Sequence, residues 1–198
     1  MRIIGLTGPI GSGKDEVAKI LKRRGAFVVD ADEAAHTLYK PQAPVWHELL
    51  KTFGSKIMVR GGKINRKKLA EIVFSDKKLL QKLNEIVHPY LKEEIIKIVD
   101  SRKSKVENRA PIVINAAVLK EIGLLDVVDE IWVVAASKKT RLKRSIKNGL
   151  SKPEALKRMN SQTSQKDYLK MADVVIKNDG SKENLAKKAL IYYRKFFE

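Results

Sequence analysis

The sequence predicts an α/β fold in three layers: a parallel five-stranded sheet with helices on both faces, a helical insertion and a lid. Three observations carry this. Five short Val- and Ile-rich runs are near-continuous rather than alternating, as in strands buried on both faces. Helical patterns separate them, as right-handed crossovers between parallel strands require. A glycine-rich turn follows the first run and leads straight into an amphipathic pattern.

In chain order, Arg2–Thr7 (RIIGLT) reads as a buried strand. Asp15–Arg24 reads as a helix with Val17, Ile20 and Leu21 on one face, closed by Gly25. Ala26–Asp30 is a second strand. Residues 33–100 break the rhythm with four helical patterns, at Val45–Phe53, Arg66–Phe74, Lys77–Val87 and Tyr90–Asp100. They read as a helical insertion. Ser101–Ala110 reads as a solvated loop. Ile112–Asn115 and Ile131–Ala135 are strands three and four, and Val174–Lys177 a short fifth. The polar, basic stretch Gly149–Asp167 suits a mobile flap. One domain is expected, with a core of residues 1–32, 101–148 and 168–198, the insertion at 33–100 and the lid at 149–167. Trp46 and Trp132 read as core side chains.

Composition bounds the chemistry. The 198 residues suit one well-buried domain, and an apolar fraction of 43% is globular. Without cysteine there are no disulfides, thiol nucleophiles or thiolate metal sites. His36, His47 and His88 are too scattered for a ligand cluster. No apolar run reaches the ~18 residues of a membrane span, and the first residues lack a signal-peptide layout, so a cytoplasmic location is expected. Charge is the unusual quantity. Lys and Arg number 41 against 23 acids, a formal +18. Residues 137–170 hold eleven of the bases, opposed only by Glu154 and Asp167. Such a block suits a nucleic-acid binder or a lid over a polyphosphate.

Gly8-Pro-Ile-Gly11-Ser12-Gly13-Lys14-Asp15 decides between these. It has the G-x-x-x-x-G-K spacing of a P-loop, in the required strand-to-helix context. The glycines let backbone N–H groups turn around an anion, the helix N-terminus adds its dipole, and Lys14 reaches the terminal phosphates. The motif normally ends in Ser or Thr, a Mg²⁺ ligand. Here it ends in Asp15. Two readings stay open: a carboxylate ligand for Mg²⁺, or an acidic first-turn residue favoured by the helix dipole. Asp30 and Asp32 end strand two, where the carboxyl ends of strands meet the ligand crevice. Two carboxylates there could orient Mg²⁺ and accept a proton from an attacking hydroxyl. Asp32 also precedes a helical pattern at Glu33 and could cap it. Opposite a phosphate loop, the catalytic reading is preferred.

With these residues in view, the chain resembles the dephospho-CoA kinase family, a group of P-loop kinases. The resemblance rests on the P-loop, Asp30-Ala-Asp32, Pro41-Gln-Ala-Pro44, Phe53-Gly54, Asn65-Arg66 with Leu69 and Phe74, His88-Pro89, Asn115–Leu124, Ser161-Gln162 and Ala172–Gly180. It covers nearly the whole chain in order. It implies transfer of the ATP γ-phosphate to the ribose 3′-hydroxyl of dephospho-CoA, with Mg²⁺ as cofactor and both nucleotides as small-molecule partners. It implies Asp32 as base and Lys14 and Arg144 as stabilisers of the migrating phosphate. ATP would be bound by Gly8, Gly11, Ser12, Gly13, Lys14, Asp15, Glu16, Asn178 and Gly180, with the metal on Asp15. Asp30, Asp32, Arg66 and His88 would meet the acceptor. Arg141 is a weaker lid candidate. Arg66 reads equally as a surface ion pair, and His88 by default as a helix-boundary residue.

The chain departs from the family at Asp15, at Asn115 where an Asp is usual, at Asn148 where a second lid arginine is often found, and at Tyr168 near which a base is common. Each touches metal or phosphate charge. Alternatives are a kinase of another nucleoside or nucleotide, and a nucleotide binder with weakened catalysis. No nucleic-acid partner is expected, since no recognition module is present, and the protein is expected to be a monomer or weak oligomer.

Overall fold

The computed structural model describes residues 1–105 and 110–197. The chain divides into two compact units, Met1–Val29 with Lys105–Glu198, and Asp30–Ser104.

In the first unit the sheet contains β1 (Ile3–Thr7), β2 (Phe27–Asp30), β3 (Ile112–Asn115), β4 (Glu130–Ala135) and β5 (Val174–Lys177). Their order is β2-β3-β1-β4-β5, with β1 paired in parallel to β3 and β4, and β4 to β5. The chain thus moves to opposite sides of β1, and the carboxyl edge beside β1 is the switch point where ligands enter such sheets. The register fixes what meets there. Leu6 is opposite Asn115, Thr7 opposite Val133, and Ala135 opposite Lys177. The loop after β1, Asn115 and the loop after β5 therefore leave the sheet at one edge.

Helix α1 (Lys14–Arg23) buries Val17, Ala18, Ile20 and Leu21. It ends as expected, with Gly25 in the left-handed region at φ 94°. The core joins these side chains to Ile4, Leu6, Trp132, Val134 and, from the last helix of the chain (Lys182–Phe197), Leu185, Ala189, Tyr193 and Phe196. Trp132 is fully buried and meets Phe196 edge-on at 6.0 Å between centroids. Near the start of the chain, the Arg2 guanidinium lies 3.9 Å from the centroid of the Phe196 ring and donates to the Phe196 carbonyl.

The second unit is helical, with α2 (Ala31–Leu38), α3 (Pro44–Phe53), α4 (Arg66–Val73) and most of α5 (Lys77–Lys105). Trp46 is half-buried, and its indole N–H donates to the Gly62 carbonyl at 2.7 Å. Of the two readings of Asp32, the cap is set aside: Asp30 caps α2, accepting the amides of Asp32 and Glu33 at 2.9 and 3.2 Å. One expectation is overturned. The helices expected on either side of His88-Pro89 are one, α5, with Pro89 inside it. Val87, Leu91, Ile95 and Val99 are buried at four-residue spacing, so a single apolar face runs across the proline and outweighs its lost hydrogen bond.

α5 also continues through residues 101–105, expected as loop; residues 106–109 of that expectation lie outside the described residues. The stretch 149–167, expected as a flap, is itself largely helical. Between α6 (Lys138–Lys147) and β5 it carries α7 (Lys152–Ser161) and the start of α8 (Gln165–Lys170). A capping box fixes the start of α7: Ser151 accepts the Glu154 amide while Glu154 accepts the Ser151 amide.

Candidate active site

The loop joining β1 to α1 is shaped by glycines that could be nothing else. Gly11 and Gly13 have φ of 75° and 99°. A Cβ on Gly11 would sit 2.5 Å from the Arg141 carbonyl oxygen, and one on Gly13 would run into the Asn178 amide. The Arg141 backbone and the Asn178 side chain therefore pack where the two missing side chains would stand. Within this turn the Ser12 amide donates to the Pro9 carbonyl at 3.0 Å, and Gly13 caps α1. The Ser12 hydroxyl is buried and has no hydrogen-bond partner among the described residues. Gln162, past the end of α7, accepts the Ile10 amide at 2.9 Å and so ties the end of that helix to the loop.

Two groups of side chains assemble on this loop. In the first, Lys14 Nζ donates to Asp15 Oδ1 at 2.6 Å and to Asn115 Oδ1 at 3.3 Å, while Asn115 Nδ2 donates to Asp15 Oδ1 at 3.0 Å. Burial alone would raise the Asp15 carboxyl, but the hydrogen bond and charge of Lys14, helped by Asn115 and Lys19, hold it below the usual carboxylate range. In the second, Arg144 donates from Nη1 to the Ser12 and Gly11 carbonyls at 3.2 and 3.4 Å, and from Nη2 to Asn178 Oδ1 at 3.2 Å. Asn178 is buried, and its Nδ2 donates to the Ser12 carbonyl at 2.7 Å. One asparagine thus connects the loop after β5 to both the glycine turn and the α6 arginine.

The other expected residues make different contacts. Glu16 pairs with Lys182 at 4.0 Å. Gly180 is exposed in the turn before the last helix. Asp179 accepts the Ser137 amide at 2.9 Å and the Thr140 hydroxyl at 2.7 Å, which hold its carboxyl below the usual range. Arg141 is buried, its Nε donating to the Ala136 carbonyl at 3.3 Å, and burial lowers its pKa. Its backbone carbonyl packs against Gly11, so it supports the scaffold of the loop. Tyr168 is buried, donates to the Ala117 carbonyl at 2.6 Å, and has its pKa raised to about 12, first by burial and then by Glu121. It anchors α8 to the segment after β3, a structural use that explains a phenol at this position.

In the helical unit, Asp32 is exposed in the first turn of α2, and Arg66 is exposed at the first position of α4. Tyr39, at the end of α2, lies within electrostatic reach of both: burial raises its pKa, Arg66 lowers it and Asp32 raises it. Tyr39 was not legible as a site residue, because only tertiary folding brings α4 to the end of α2. His88 is half-buried in mid-α5.

Among the described residues, no group of three or more His, Cys, Asp or Glu side chains forms a metal cage. That suits Mg²⁺ in a nucleotide site, where one or two carboxylates share the ion with phosphate oxygens and water. Asp15, with its side chain 67% exposed, is the carboxylate here that could take part.

Comparison with known proteins agrees in sequence and in structure. A family profile described as dephospho-CoA kinase matches residues 2–184. Dephospho-CoA kinase of Carboxydothermus hydrogenoformans is 39% identical over 195 residues, covering 98% of this chain and 94% of that one. That of Aquifex aeolicus is 39% identical over 193 residues, covering 98% and 96%. The crystal structure of TT1252 from Thermus thermophilus superposes with a TM-score of 0.80 at 32% identity, covering 100% of this chain and 98% of that one. Dephospho-CoA kinase from Campylobacter jejuni shares the fold, with a TM-score of 0.72 at 24% identity, covering 99% and 98%.

Proposed function

Starting from the fact that the chain belongs to the dephospho-CoA kinase family, we propose which of its residues carry the family's reaction, and how. The enzyme phosphorylates the ribose 3′-hydroxyl of dephospho-CoA with ATP, the last step of CoA biosynthesis. The observation that supports the residue assignment best is the convergence of Lys14, Asp15, Asn115, Arg144 and Asn178 on one glycine turn at the carboxyl edge of a parallel sheet.

Phosphoryl transfer asks the protein for positioning and charge neutralisation. The amides of residues 8–14 receive the phosphate chain at the N-terminus of α1. Lys14 and Arg144 stabilise charge on the migrating group. Both are held near the loop before any nucleotide arrives, which lowers the reorganisation needed at reaction. The 178–180 loop borders the adenine, and Asn178 holds Arg144 and the Ser12 carbonyl in place. Asp15 would hold Mg²⁺, which supplies charge neutralisation across the phosphates when bound.

Asp32 accepts the proton of the 3′-hydroxyl as that oxygen bonds to the γ-phosphorus and the bond to the bridging oxygen breaks, giving ADP. Since Asp30 takes the cap of α2, the Asp32 carboxylate is not committed to that backbone. Residues 33–100 form the acceptor-binding region, with Arg66, Tyr39 and His88 as contacts, and 149–167 the lid. We assign a cytoplasmic location and a monomeric or weakly associated state; no helix among the described residues is long and apolar enough to cross a membrane.

The test is incubation with ATP, Mg²⁺ and dephospho-CoA, with CoA and ADP measured by mass. Equimolar products are expected. Asp32→Asn should lower kcat by about 100-fold or more, with the KM for ATP little changed. An Asp32→Asn enzyme of full activity would remove Asp32 from the mechanism.

A further inference from the structure

The residue after the P-loop lysine is an acid, and in the structure that acid holds the lysine. Asp15 Oδ1 accepts both Lys14 Nζ, at 2.6 Å, and Asn115 Nδ2, at 3.0 Å, and Lys14 donates back to Asn115 Oδ1 at 3.3 Å. The three side chains close a ring between the first turn of α1 and the end of β3. Its two charged members differ in exposure: the Lys14 side chain is 12% exposed and that of Asp15 67%. The cation lies inside and the carboxylate stands at the solvent side. Asp15 Oδ2 has no protein partner among the described residues.

This arrangement treats two forms of one ligand differently. A bare nucleoside triphosphate meets a lysine whose charge is already compensated and a carboxylate that repels its oxygens. A triphosphate carrying a divalent cation meets the same carboxylate as a ligand, because carboxylate oxygen suits a hard cation. Asp15 then no longer competes for Lys14, which becomes available to the phosphates. Asn115 fits the same logic. An amide accepts from Lys14 and donates to Asp15, whereas a carboxylate in its place would set two like charges on one site.

Resting on the phosphate-loop reading above, we propose that Asp15 is a specificity-determining residue: it keeps Lys14 paired in the free enzyme, so that the loop accepts the nucleotide as its divalent-metal complex and rejects the bare polyphosphate.

Equilibrium binding of ATP, followed by calorimetry at fixed ionic strength in EDTA and in Mg²⁺, tests this without turnover. Wild type should bind the Mg²⁺ complex about 100-fold tighter than bare ATP. In Asp15→Asn the preference should shrink to roughly tenfold or less, chiefly because bare ATP binds more tightly. A gain of binding is a result that a damaged loop does not produce. Asn115→Asp should widen the preference by adding a second carboxylate. Wild-type binding with no metal preference, or a preference unchanged in Asp15→Asn, overturns the proposal and leaves the phosphate loop standing. Absence of ATP binding by wild type in both buffers overturns the phosphate-loop reading as well.

Discussion

Asn178 spends its whole side chain inside the protein. Its amide nitrogen serves the Ser12 carbonyl and its oxygen serves Arg144, from a buried position where an unpaired amide would be costly. Removing it frees Arg144 to swing and unpins the glycine turn. Asn178→Ala is therefore expected to lower kcat by roughly 10- to 100-fold, with a smaller change in the KM for dephospho-CoA, in steady-state assays. Equal changes in both would mean that the residue only supports the fold. The glycine turn itself was readable from sequence, because its spacing is local and each glycine answers a local steric demand. The Arg144–Asn178 pair was readable only as two separate candidates, since their contact joins residues 34 apart in the chain. The cap of α2 falls on Asp30, two residues before the alternative position considered at Asp32. Extended backbone at Asp30, with φ −92° and ψ 116°, makes it the last residue outside α2, and composition alone does not mark that boundary.

The long helix α5 shows where element-level reading failed and why. A proline with a histidine before it signals a break. The stripe of Val87, Leu91, Ile95 and Val99 overrode it, because burial of one continuous face is a tertiary gain invisible to a local rule. Ile95 is fully buried in that stripe, so Ile95→Ala should destabilise the protein by about 2–5 kcal/mol in urea unfolding. At α8 the phenol of Tyr168 gives a pH signature. Its folded pKa is raised from 10.0 to about 12, so the folded state keeps the proton while an unfolded tyrosine loses it. The stabilisation is complete below pH ~10 and is lost as pH rises through ~12. In Tyr168→Phe this part of the alkaline loss should vanish. Thermal midpoints from pH 9 to 12 should fall less steeply than in wild type, with residual slope from other buried tyrosines such as Tyr193.

For the whole molecule, the parallel order of strands was legible because both faces of the sheet are covered, which fills the strands with Val and Ile. Trp132 was legible as core for the same reason. The ordering of the basic stretch into α6, α7 and α8 was not, since its lysines hide the periodicity; capping residues such as Ser151 were the available signal. Arg2 grips Phe196 through both its ring and its carbonyl, so the beginning of β1 and the last helical turn are spatial neighbours. A short flexible bridge could join them, and the chain could be reopened between the exposed Arg60 and Gly61. Such a circular permutant is expected to refold and to yield CoA at near wild-type rate, since no site residue moves in space. Failure to refold would show that entry through β1 is required for assembly.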